Sequence, residues 1–120
     1  IPEIGMNVNG VFTQRENVAD LGGLKAAFRA YQSFLAVNGP EPRLPNFPEI
    51  TNNQLFFIGF AQSWCTNANK QLRVRLVLND NHAPNDARVQ LSTRNLPEFA
   101  KAFNCPHNSK TNPASRCEVW

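Results

Sequence analysis

Glu16 and Asp20 stand four residues apart at the start of a helical pattern. At about 100° per residue they lie about 40° apart around a helix, and Leu24 lies about 80° from Glu16, so both acids lead into an apolar stripe. Two acids in a first turn are favoured by the helix dipole and need no other role when solvated. On the core side of a helix, however, a carboxylate requires a metal ion, an arginine or hydrogen bonds. His82 lies in a polar loop six residues before Arg88. A lone loop histidine is ordinarily a surface residue. Beside an arginine it can form a pair of donors aimed at a substrate carbonyl or oxyanion. His107 has no comparable partner, and Trp64, at the end of an apolar run, reads first as core.

Cys65, Cys105 and Cys117 form an odd set without C-x-x-C spacing, so a zinc knuckle is not indicated. In an oxidising compartment at least one of them must pair outside these residues or stay free. With two histidines there is no H-E-x-x-H, and a zinc hydrolase complete within this chain is excluded, because zinc needs about three protein ligands. There is no G-x-S-x-G elbow, glycine-rich phosphate loop or D-x-D-x-D-G calcium loop.

The elements that must position these groups occupy 120 residues, enough for one small domain. The apolar run from Leu55 to Ala61 is far short of the roughly 20 residues that cross a bilayer. The opening Ile1-Pro-Glu-Ile-Gly lacks the basic and apolar regions of a secretory signal and begins without Met, so a processed chain or a piece of a longer one is expected. Net charge is +3, and the second half carries eight basic against four acidic groups. These charges are scattered and not interleaved with aromatics, so a solvated basic face is expected and no nucleic-acid partner.

Leu21, Leu24, Phe28, Tyr31 and Leu35 make one stripe on a helix from about Glu16 to Val37, ended by Asn38-Gly39-Pro40. Within it, Gly22-Gly23 costs roughly 1 kcal/mol per glycine against alanine, which suggests a close backbone neighbour or a bend. Four prolines between Pro40 and Pro48 make a surface connector. Thr51-Asn-Asn-Gln54 has the form of a capping box and opens a helix through Cys65 that is apolar round most of its circumference, read as buried. Leu72–Leu78 alternates like a strand, and Val89–Leu91 is a second short strand candidate. Asn79–Asp86 reads as loop. Asn95–Phe103 reads as a last helix with Asn95 as N-cap and Glu98 at N3. The tail from Cys105 is irregular and expected to be pinned by its cysteines. The fold class is mainly α, with one or two short strands.

Several stretches together resemble the neprilysin and endothelin-converting-enzyme family of zinc metallopeptidases. Glu16-Asn17-Val18-Ala19-Asp20-Leu21-Gly22-Gly23 is similar to the family's E-N-x-A-D-x-G-G, and Phe28-Arg29-Ala30-Tyr31-Gln32 continues it. Gln54-Leu55-Phe56-Phe57 through Phe60-Ala61-Gln62-Ser63-Trp64-Cys65 resembles Q-L-F-F…F-A-Q-x-W-C. Asp80-Asn81-His82-Ala83-Pro84-Asn85-Asp86-Ala87-Arg88 resembles D-x-H-x-P-x-x-x-R. Asn112-Pro113 and Cys117-Glu118-Val119-Trp120 resemble the closing N-P…C-x-V-W.

The resemblance implies that residues 1–120 are the C-terminal segment of a zincin-like peptidase catalytic domain, inactive without its upstream part. It implies Glu16 as third ligand of one zinc ion shared with two upstream histidines. Asp20 would fix a zinc-ligating histidine or donate a proton, and His82 would stabilise the oxyanion. Arg88 would hold a substrate carbonyl, while Ser63 and Trp64 would line the pocket for the side chain after the cut. Ser63 stands where Val is common, Ala87 where an aromatic is, Arg15 where Gly is and Leu21 where Asn is frequent. Cys65, Cys105 and Cys117 would each pair with upstream cysteines and not with one another. Helix is implied at Leu72–Leu78. Peptides are the implied substrates, cut before apolar residues, by an extracellular glycoprotein that is either a membrane-anchored ectodomain or secreted, although no N-x-S/T sequon occurs here. A homodimer is compatible with this reading. The rival class is a non-catalytic secreted binding module or an inactive paralogue.

Overall fold

A computed structural model describes residues 1–119. A 3₁₀ turn at Pro2–Ile4 precedes α1 (Gln14–Asn38), α2 (Asn52–Ser63), α3 (Lys70–Asn79), α4 (Asn85–Arg94) and α5 (Pro97–Ala102). The architecture is mainly α. The β content of the described residues is one isolated bridge between Ser109 and Asn112.

Local chemistry sets the helix ends. Asn9 Oδ1 accepts from the amides of Val11 and Phe12, and Thr13 Oγ1 donates to the Asn9 carbonyl, which turns the chain into α1. Gly39, at φ +81°, ends α1 and donates its amide to Leu35 O at 2.8 Å. The capping box at α2 is complete: Gln54 N donates to Thr51 Oγ1 and Thr51 N to Gln54 Oε1. Asn69 caps α3 by accepting from Leu72 N.

Leu24 and Phe28 of the α1 stripe meet Phe57 of α2 and Leu96 before α5 in the core. Phe28 stacks on Phe57 at 5.1 Å, and Phe99 meets Phe57 edge-on at 5.3 Å. The expected burial of α2 is not met within this chain. Among the described residues only Phe57 is fully covered there, between Phe28 of α1 and Phe99 of α5. Of the Gly22-Gly23 pair, Gly22 is buried and Gly23 faces open space, and α1 continues through both.

Both strand expectations fail. Leu72–Leu78 lies in α3, as the resemblance implied, and Val89–Leu91 lies in α4. The alternation at 72–78 is incidental to burial, since the half-covered residues 73, 74, 76 and 77 follow a helical period. Asn85 and Asp86, expected in the loop, begin α4. Asn95 does not cap α5: its Nδ2 donates to Leu91 O and its Oδ1 accepts from Cys117 N, closing α4 and holding the tail. The tail forms no disulfide within the described residues. It is held by that bond, by Asn112 Nδ2 on Cys105 O, and by Lys25 Nζ on Glu118 and on Val119 O. No helix of the described residues is long and apolar enough to cross a membrane.

Candidate active site

The first turns of α1, the α3–α4 loop, the start of α4 and the end of α2 converge. Glu16 Oε2 lies 3.3 Å from His82 Nε2, and the glutamate is one-third exposed. One turn along, Asp20 receives a two-point ion pair from Arg88, Nε to Oδ2 at 2.6 Å and Nη2 to Oδ1 at 2.7 Å. Both side chains are nearly buried, 10% and 12% exposed. Asp20 holds the Arg88 guanidinium above its already high ordinary range, chiefly through these hydrogen bonds. The guanidinium carbon lies 3.8 Å from the Trp64 ring centroid, a cation–π stack.

Glu16, Asp20, His82, Arg88 and Trp64 are therefore brought together. Trp64 also borders a cleft of about 550 Å³ between the end of α2, α3 and α4. Ser63 is not on that cleft; it is exposed, and its hydroxyl donates to Phe60 O at 2.6 Å. Cys65 and Cys117 are exposed and Cys105 half-buried.

Asp80 is the group to which the sequence reading gave no task. Its Oδ1 accepts from His82 N at 2.9 Å and lies 2.7 Å from His82 Nδ1. The backbone bond first, then the ring bond, hold the Asp80 carboxyl below its ordinary range. An acidic residue two before a histidine in a polar loop is an Asx-turn signal, and that spacing was available in the sequence. With a proton on Nδ1 facing the acceptor-only carboxylate, Nε2 points to Glu16 and donates there only in the imidazolium form.

The donor set fits one corner of a metal site. Glu16 is an anionic oxygen donor beside a histidine; among the described residues it forms no ion pair with a lysine or arginine, and it is next to a carboxylate able to orient a further ligand. Among the described residues no three His, Cys, Asp or Glu side chains are grouped to hold a metal ion.

The chain as a whole is similar to known proteins. Residues 1–119 match Peptidase family M13. The chain is 50% identical to Neprilysin-1 of Caenorhabditis elegans over 116 residues, 96% of this chain and 15% of that protein. It is 48% identical to human Endothelin-converting enzyme 1 over 116 residues, 97% of this chain and 15% of that protein. Among solved structures, it superposes on the Haemonchus galactose-containing glycoprotein complex with TM-score 0.88 at 40% identity, covering 94% of this chain and 20% of that one. It superposes on the Mycobacterium tuberculosis zinc metalloprotease ZMP1 in its open state with TM-score 0.83 at 34% identity, covering 95% and 17%. The fold is that of a segment of a metallopeptidase-family chain. The chain belongs to peptidase family M13, and it spans about 15% of the length of the curated relatives it matches.

Proposed function

We propose that residues 1–120 form the C-terminal segment of the catalytic domain of an extracellular zinc metalloendopeptidase. The observation that carries this reading is Glu16 facing His82 at 3.3 Å, one helical turn from the Asp20–Arg88 pair. Glu16 would hold zinc together with two histidines of the upstream polypeptide. Bound zinc supplies Lewis-acid polarisation of the scissile carbonyl.

The remaining steps belong to this chain's own side chains. Arg88 uses two of its five N–H groups on Asp20, so three remain to donate to a substrate backbone carbonyl. A carboxylate offers about four lone-pair sites, so Asp20 can still accept from a zinc-ligating imidazole and fix its ring. His82, oriented by Asp80, donates from Nε2 in its imidazolium form to the negative charge developing on the peptide carbonyl oxygen. Trp64 walls the cleft that takes the side chain after the cut, and apolar residues fit there best. Cys65, Cys105 and Cys117 link the segment to the upstream part.

The test is metal content of the full-length polypeptide. The wild type should carry about one zinc per chain, and Glu16→Gln should lose most of it, because a neutral amide is a poor ligand. Unchanged zinc in that variant would count against the assignment.

A further inference from the structure

The loop carrying His82 spans Asp80 to Pro84, between α3 and α4. Each end is fixed to its own helix: Asp80 N donates to Leu76 O at 2.9 Å, and Arg88 N to Pro84 O at 2.9 Å. Ala83 and Pro84 are buried. None of these bonds fixes one helix against the other. α3 packs chiefly on the 3₁₀ turn at Pro2–Ile4, whereas α4 packs on α1, α2 and α5. Leu72 and Leu76 of α3 face Val89 of α4 across the cleft that Trp64 also borders, so the two helices stand apart there.

Among the described residues one polar link spans this gap. Arg73 Nη2 on α3 donates to Asp86 Oδ2 in the first turn of α4 at 2.7 Å. Arg73 is about one-fifth exposed and Asp86 two-fifths. The same nitrogen is 3.7 Å from Glu3 on the 3₁₀ turn, a longer and more exposed contact. The carboxylate also sits where the α4 dipole favours a negative charge. We propose that Arg73 and Asp86 are positioning residues: their ion pair sets the separation of α3 and α4, and so the place of His82 in the active site.

A partly exposed ion pair adds little net stability, so its effect belongs in geometry and not in folding. Small displacements of a group that stabilises a transition state are costly, which makes the turnover rate the sensitive readout. The inference rests on the reading of His82 as a group that acts on the substrate.

The experiment uses the full-length enzyme and a fluorogenic peptide with an apolar residue after the scissile bond. Arg73→Ala and Asp86→Ala should each lower kcat about 3- to 10-fold with KM changed less than about twofold. The double variant should be no slower than either single one, and the swap Arg73→Asp with Asp86→Arg should recover most of the loss. In a His82→Ala background, Arg73→Ala should have no further effect. Where an alanine variant fails to accumulate, Arg73→Lys serves, with a smaller loss of kcat in the same pattern. Single variants with wild-type kcat, additive losses, or an undiminished Arg73→Ala effect without His82 would each overturn the proposal. If His82→Ala itself left kcat unchanged, the reading of His82 would fall instead; if His82→Ala slowed the enzyme and the clasp variants did not, the clasp alone would fall.

Discussion

Arg88 reaches from α4 to grip both carboxylate oxygens of Asp20 on α1, and the pair is almost wholly withdrawn from solvent. The contact joins residues 68 apart in sequence. It ties the helix that bears the candidate zinc ligand to the helix that bears the candidate substrate clamp. The Trp64 ring against the guanidinium closes the arrangement from α2.

Breaking this pair should be costly, because a buried charge left alone pays its full desolvation. Asp20→Asn in the full-length protein should destabilise it by about 3 kcal/mol, measured by denaturant unfolding. Arg88→Lys keeps the charge but cannot make the two parallel bonds, so a smaller loss is expected. Equal stability of Asp20→Asn and wild type would mean that the pair is not closed in the assembled protein.

The Asp80–His82 contact predicts a pH signature. Asp80 titrates below its ordinary range in the fold, so the unfolded chain binds the proton more readily. Its stabilising contribution is present above the ordinary aspartate pKa of about 3.9 and is lost as pH falls through the lower folded value. The stability gap between wild type and Asp80→Asn should therefore be present near pH 5 and shrink as acid is added below about pH 4. A gap that widened in acid would reverse the sign and remove the argument.

The capping box gives a prediction at the level of one helix end. Thr51→Ala removes one acceptor for an otherwise unpaired amide of α2 and should cost about 1 kcal/mol in thermal unfolding. Gln54→Ala should cost more. Its Oε1 serves the Thr51 amide and its Nε2 donates to Ala102 O at 2.9 Å, so the same side chain also closes α5. An equal cost for the two variants would show that the α5 bond adds nothing.

Signals carried by neighbouring residues were legible in the sequence, and signals that needed a partner from elsewhere were not. The α1 stripe, the Gly39 stop and the Thr51–Gln54 box depend on residues within a turn or two, and all three are found. Leu72–Leu78 misleads because two periods fit one short run, and only the Asn69 cap decides for helix. Asn95 has the composition of an N-cap, yet its side chain is taken by Leu91 and Cys117, the latter 22 residues away. At the site, Glu16, Asp20, His82 and Arg88 stand out by type and spacing. Their pairing does not: periodicity cannot say that Arg88 chooses Asp20 over Glu16, or that Arg73 meets Asp86.

The cysteines carry the last prediction. Cys65 and Cys117 are exposed and Cys105 half-buried, and none pairs with another. Asn95 and Asn112 hold the backbone at Cys117 and Cys105 by hydrogen bonds, so the tail keeps its course without a disulfide between them. An extracellular protein retains such thiols only if they are reactive or paired, and the relatives of this chain are about six times its length, which leaves ample polypeptide to supply partners. Peptide mapping of the full-length, non-reduced protein should find each of the three joined to a cysteine preceding residue 1, and reduction should lower its stability by about 2–5 kcal/mol per bond removed. A Cys105–Cys117 peptide in that map, or three free thiols, would break the link to an upstream part and favour a self-contained module.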